Sequence, residues 1–97
     1  MKKVLYFISA QSTAGVELAL ENKEDEVSIL LLQNAVYCGT KKCSEVANAI
    51  KENKKVYVLK EDVELRGIQS LLLDGIEMVD YNGVIDVTFA QDTIVNF

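Results

Sequence analysis

The chain has 97 residues, of which 49% are hydrophobic and 26% charged, the balance of one folded domain rather than of a disordered segment. Its net charge of −5 disfavours direct gripping of a nucleic-acid backbone, and the lysine pairs Lys41-Lys42 and Lys54-Lys55 are not interleaved with aromatics. Histidine is absent, which removes the commonest general base and the commonest zinc ligand together.

In chain order, Lys2 to Ser9 is rich in β-branched and aromatic residues and predicts a first strand. The apolar run Val4 to Ile8 is too short for a signal peptide, and no run is long enough to cross a bilayer. The expected setting is therefore the cytoplasm, with no membrane partner and no direct nucleic-acid partner. Ser12 or Thr13 is placed to cap a first helix, Ala14 to Asn22. Glu17, Glu21, Glu24, Asp25 and Glu26 read as a solvated acidic face. Ala14-Gly15 lacks the spacing of either nucleotide-binding fingerprint.

The stretch Val27 to Cys43 is the most informative. Ile29 to Leu32 is an unbroken apolar run, suited to a strand covered on both faces of a parallel sheet. It stops at Gln33-Asn34 and turns through Ala35 to Gly39. In open α/β sheets, ligands and reactive groups gather beyond the carboxyl ends of strands. Cys38 and Cys43 both follow this strand end.

Cys43, Val46, Ala47 and Ile50 fall on one face of a second helix, closed by the basic residues between Lys51 and Lys55. Val56 to Leu59 predicts a third strand. Lys60 to Arg66 predicts a short helix ended by Gly67. Ile68 to Gly75 is expected as a loop, Ile76 to Val79 as a fourth strand, and Asp80 as the cap of a helix from about Asn82 to Gln91. Val84, Ile85, Val87 and Phe89 are that helix's apolar residues, and Gly83 weakens its start. Thr93 to Phe97 is expected to be extended. Strand–helix alternation with short connections predicts a single α/β domain over 1–97, a three-layer sandwich around a mainly parallel sheet of four or five strands.

Three segments recur in an order that resembles a known family: Leu30-Leu31-Leu32-Gln33-Asn34-Ala35-Val36; Lys55-Val56-Tyr57-Val58-Leu59-Lys60-Glu61-Asp62 with Arg66-Gly67; and Ile76 to Tyr81. This pattern is similar to the DsrH/TusB family, small subunits of DsrE/DsrF/DsrH and TusB/TusC/TusD sulfur-relay assemblies. The resemblance implies a flavodoxin-like α/β fold. It also implies assembly with itself or with DsrE/DsrF-like or TusC/TusD-like subunits, and a role in passing persulfide sulfur toward tRNA wobble-uridine thiolation or in sulfur oxidation. DsrH proteins of sulfur oxidisers carry a cysteine in the first helix, whereas Ala14 to Asn22 contains none. TusB-type subunits lack a reactive cysteine and act as partners of the subunit that has one. Neither pattern assigns a role to Cys38 or Cys43.

Read from the residues, Cys38 is a candidate sulfur carrier: Gly39, Lys41-Lys42 and a downstream helix start would favour a thiolate there. The alternative is a small, buried, inert side chain at a strand end. Cys43 is a core residue or a resolving thiol for Cys38. Two thiolates are half a tetrahedral site, so no metal is expected, and no cofactor is expected either. Gln33-Asn34 are crevice ligands or turn residues, and Asp62 with Arg66 is a plausible i, i+4 pair. Leu71, Leu72 and Leu73 in a loop cannot all enter one small core, and point to an oligomer contact; the alternative is that they extend the third helix or form an additional short strand. Three functions follow: an interaction subunit of a sulfur-relay complex, a persulfide-carrying sulfurtransferase using Cys38, or a small-molecule-binding flavodoxin-like module.

Overall fold

The computed structural model describes residues 2–9, 14–41 and 43–96. Three segments dominated by branched and aromatic residues form strands β1 (Lys3–Ile8), β2 (Glu26–Leu31) and β3 (Lys55–Leu59), each buried over nearly its whole length. Strands that hide both faces belong inside a parallel sheet. Two shorter and more exposed strands, β4 (Ile76–Val79) and β5 (Thr93–Asn96), close its edges. All pairings are parallel and the order is β4-β3-β2-β1-β5.

Helices α1 (Ala14–Glu21), α2 (Ser44–Lys51) and α3 (Lys60–Arg66) lie in connections that step from β1 toward β4. Helix α4 (Tyr81–Phe89) lies in the one connection that runs back, from β4 across to β5. With right-handed crossovers, opposite travel puts the covering helix on the opposite face. The packing follows this rule. One cluster joins Tyr6, Ile29 and Val58 to Val16 and Ala19 of α1, Val46 and Ala49 of α2 and Val63 of α3. A smaller cluster on the other face joins Leu5, Leu30 and Val79 to Val84 and Val87 of α4. The result is the expected α/β sandwich, with one thick layer and one thin one.

Several expectations are refined by tertiary contact. The turn after β2 is a 3-10 segment, Gln33–Gly39, because Ala35, Val36 and Cys38 bury there and tighten the chain against the sheet. Cys43 is the N-cap residue of α2 and packs partly against the core with Ile50, ahead of the fully buried Val46 and Ala49. α2 ends at Lys51, before a left-handed Asn53 (φ 64°), and Lys55 already belongs to β3. The loop 68–75 contains a 3-10 turn, Gln69–Leu71, and one antiparallel bridge from Leu72 to Thr40. Gly67 has φ 64°, the left-handed geometry expected where α3 stops. Of the four apolar residues assigned to α4, Val84 and Val87 face the sheet, but Ile85 and Phe89 are exposed. The caps proposed at Ser12 or Thr13 lie outside the described residues.

The start of α4 is closely fitted. Asp80 Oδ1 accepts from the Gly83 N–H at 2.8 Å, satisfying an otherwise unpaired first-turn donor. A Cβ on Gly83 would lie 2.9 Å from Cβ of Val79, so glycine here is the condition for seating the helix on β4 rather than a weakness. Asp80→Ala is expected to cost about 1 kcal/mol. Gly83→Ala is expected to cost roughly 1–3 kcal/mol despite alanine's better helix propensity, because the methyl overpacks the junction. Urea midpoints of the two variants check both values.

Candidate functional site

The end of β2 is held by polar contacts from α3. Beyond Leu31 the chain remains extended at Leu32, whose N–H reaches the Ile8 carbonyl at 3.0 Å. Gln33 then adopts φ 52°, a left-handed conformation that a non-glycine side chain rarely holds. Its N–H donates to Asp62 Oδ2 at 2.6 Å, a charge-assisted bond that offsets the strain. Arg66 completes the clasp. It donates to Asn34 Oδ1 at 2.9 Å and to the Asp62 carbonyl at 3.2 Å, and lies 3.5 Å from Asp62 Oδ1. The expected Asp62 and Arg66 pair therefore exists, and its larger job is to tie α3 to Gln33 and Asn34. Those two residues act through one backbone N–H and one amide oxygen, with both side chains exposed to solvent.

Cys38 lies deeper, at 1% exposure among the residues of the larger core. Burial pushes its thiol up to about 12, and the Cys43 thiol beside it and the Glu45 carboxylate push in the same direction. A sulfur carrier needs the reverse, an accessible thiolate stabilised by donors or cations. The nearby cation that the sequence offered, Lys41, is turned to solvent, and Lys42 lies outside the described residues. Cys43 is half-buried, and both cysteines are free thiols. The two thiols lie side by side, in surroundings that keep Cys38 protonated. Among the described residues no group of three or more His, Cys, Asp or Glu could hold a metal ion.

The leucine run is divided by the fold. Leu71 is 57% exposed, while Leu72 and Leu73 pack partly against the core. The Leu73 N–H donates to the Gly39 carbonyl at 2.8 Å, drawing the run onto the 3-10 segment that carries Cys38. An open groove of about 490 Å³ between this run and α2 is lined by Lys41, Ile50, Lys51, Leu72, Leu73 and Asp74 among others. The strand order reverses elsewhere, between β1 and β5. Such a reversal is where open α/β sheets form their ligand crevice. Among the described residues no helix is long and apolar enough to cross a membrane.

Residues 9–94 match the family model described as DsrH-like protein. The chain belongs to the DsrH family. Protein TusB of Photorhabdus laumondii subsp. laumondii is 30% identical over 60 residues, which span 62% of this chain and 63% of that protein, a little under two thirds of the relative. Among solved structures, the ychN protein from E. coli superimposes with a TM-score of 0.83 at 19% identity, over the whole of both chains. BT1422 from Bacteroides thetaiotaomicron gives 0.83 at 13% identity, covering 99% of this chain and 95% of that one. MTH1491 from Methanobacterium thermoautotrophicum gives 0.76 at 12% identity, over all of both chains. At these identities the structural likeness establishes the fold.

The thiol environment has measurable consequences. At mildly alkaline pH the native chain should react with a disulfide reagent at Cys43 first, and at Cys38 only when denatured. With its folded value raised from 9.0 to about 12, Cys38 keeps its proton in the folded state where the unfolded chain has lost it. Stability should therefore fall as pH rises from about 9 to about 12, and Cys38→Ala should remove that part of the fall. Denaturation midpoints across that range supply the check.

Proposed function

We propose that this chain is an accessory subunit of a cytoplasmic sulfur-relay assembly, supporting tRNA wobble-uridine thiolation or sulfur oxidation through contacts with sulfur-carrying subunits of the DsrE/DsrF or TusC/TusD kind. The observation that carries the reading is the state of Cys38: a buried, protonated thiol supports an interaction role and weighs against a carrier. Family membership supplies the relay context, and the TusB-like relative agrees with it. Leu71 is the proposed point of contact, because it is the solvent-exposed member of a leucine run anchored on both sides by backbone bonds.

Two measurements test this. Incubation with a cysteine desulfurase and cysteine should leave the intact mass of the chain unchanged. A gain of sulfur that disappears in Cys38→Ser would make Cys38 a carrier and overturn the accessory reading. On co-expression with DsrE/DsrF-like or TusC/TusD-like subunits, the wild-type chain should co-purify with them. Cys43→Ala should leave that association unchanged, and Leu71→Asp should weaken it by about tenfold or more.

A further inference from the structure

Helix α4 has two apolar sides, and the fold uses one. Val84 and Val87 close onto the sheet, whereas Tyr81, Ile85 and Phe89 stand 61%, 51% and 84% exposed. Residues four apart share one side of a helix, so these three form a continuous stripe along the outer surface. With roughly 150–250 Å² per large side chain, the stripe presents on the order of 400 Å², comparable to the largest apolar patch of a typical monomer. That is about half of the ~800 Å² one partner contributes to a standard interface, a suitable share for an apolar centre within a polar rim.

The charged residues that flank α4 along the chain are acidic. After Arg66 the chain contains no Lys or Arg, and Asp74, Glu77, Asp80, Asp86 and Asp92 account for the whole net charge of −5. All five are exposed; Asp74 lines the groove beside α2 on the other face, and the remaining four belong to β4, to α4 or to the residues that flank α4. Asp80 and Asp92 accept backbone N–H bonds from Gly83 and Lys3, each at 2.8 Å, which orient these carboxylates without neutralising them. Lys3 and Lys55 do reach this side, but they line the cleft beneath the C-terminal half of α4, together with Glu26 and Asp86. Two copies meeting across this face by two-fold symmetry would set these carboxylates against their own equivalents. An anionic lipid surface would be repelled for the same reason.

We propose that Tyr81, Ile85 and Phe89 form the docking face for a different protein chain, one that offers an apolar hollow ringed by Lys and Arg side chains. This rests on the accessory-subunit reading and adds a second surface, apart from Leu71, and the chemistry of the partner that takes it.

The test is site-specific photocrosslinking in the cells that make the protein. A p-benzoylphenylalanine is installed at Ile85 and, as a control, at Leu65, which is exposed on α3 across the sheet. The expected result is an adduct from position 85 to a different protein, with Lys or Arg residues flanking the mapped contact. The purified partner should bind wild type at least about tenfold more tightly than Phe89→Ser, with affinity falling as salt rises. Phe89→Ser alters an exposed group, and a circular dichroism spectrum confirms that it folds. An adduct to a second copy of this chain, a contact without basic residues, salt-independent binding, or no adduct at position 85 would each overturn the proposal. Relay subunits that co-purify undiminished with Phe89→Ser would refute this surface and leave the accessory reading standing. An adduct to a basic-rimmed chain outside any sulfur relay would support the surface while the accessory reading fails.

Discussion

The structure depends on the burial of β2 on both faces. Ile29, Leu30 and Leu31 are fully covered, and because alternate side chains of a strand point to opposite sides, cover must come from both. A sheet that grows in one direction with right-handed crossovers places every covering helix on a single face. The chain meets the second demand by reversing once. The passage from β4 back to β5 carries α4 over Leu5 and Leu30, and without that crossing β2 would lie open on one side. The unequal layers follow from this count of crossings: among the described residues, three α-helices cover one face and one covers the other. A lone helix has no neighbours on its outer side, which is why Ile85 and Phe89 reach solvent despite belonging to an apolar segment.

At the carboxyl end of β2, the same demand for cover decides what the cysteines can do. The 3-10 segment folds Ala35, Val36 and Cys38 back onto the sheet, and the desolvation that makes Cys38 a good core residue makes it a poor acid. The polar residues around it do structural work. Asp62 holds the left-handed turn at Gln33, Arg66 holds Asn34, and together they fasten α3 to the strand end. Backbone strain of this kind often marks a reactive site. Here it is balanced by a carboxylate that accepts from the strained residue's own N–H, and it serves to position a loop.

Charge and hydrophobicity are distributed unevenly along the chain in a related way. The first 66 residues contain ten cations and ten carboxylates and are balanced; the segment that builds β4, α4 and β5 has carboxylates alone. The thin layer of the sandwich is therefore also the acidic one. In this member of the DsrH family that layer differs from the rest of the molecule in both polarity and charge.

The elements themselves were legible in the sequence, because each rests on local chemistry. Apolar runs without alternation meant strands buried on two faces, Gly67 marked a left-handed stop, and Asp80 marked a cap, all as the structure has them. The segment order from Leu30 to Tyr81 carried the family, since it records which residues must recur at which spacing. Tertiary structure alone decided the rest. Strand order, and with it the face to which α4 belongs, depends on the direction of each crossover, which no local pattern encodes. The contacts of Asp62 with Gln33 and of Arg66 with Asn34 join residues 29 and 32 positions apart. Cys38 looked approachable beside Gly39 and two lysines. It is buried in the larger core, in a 3-10 segment whose end is bonded to the loop 68–75 through Gly39 and Thr40, long-range contacts that composition does not reveal.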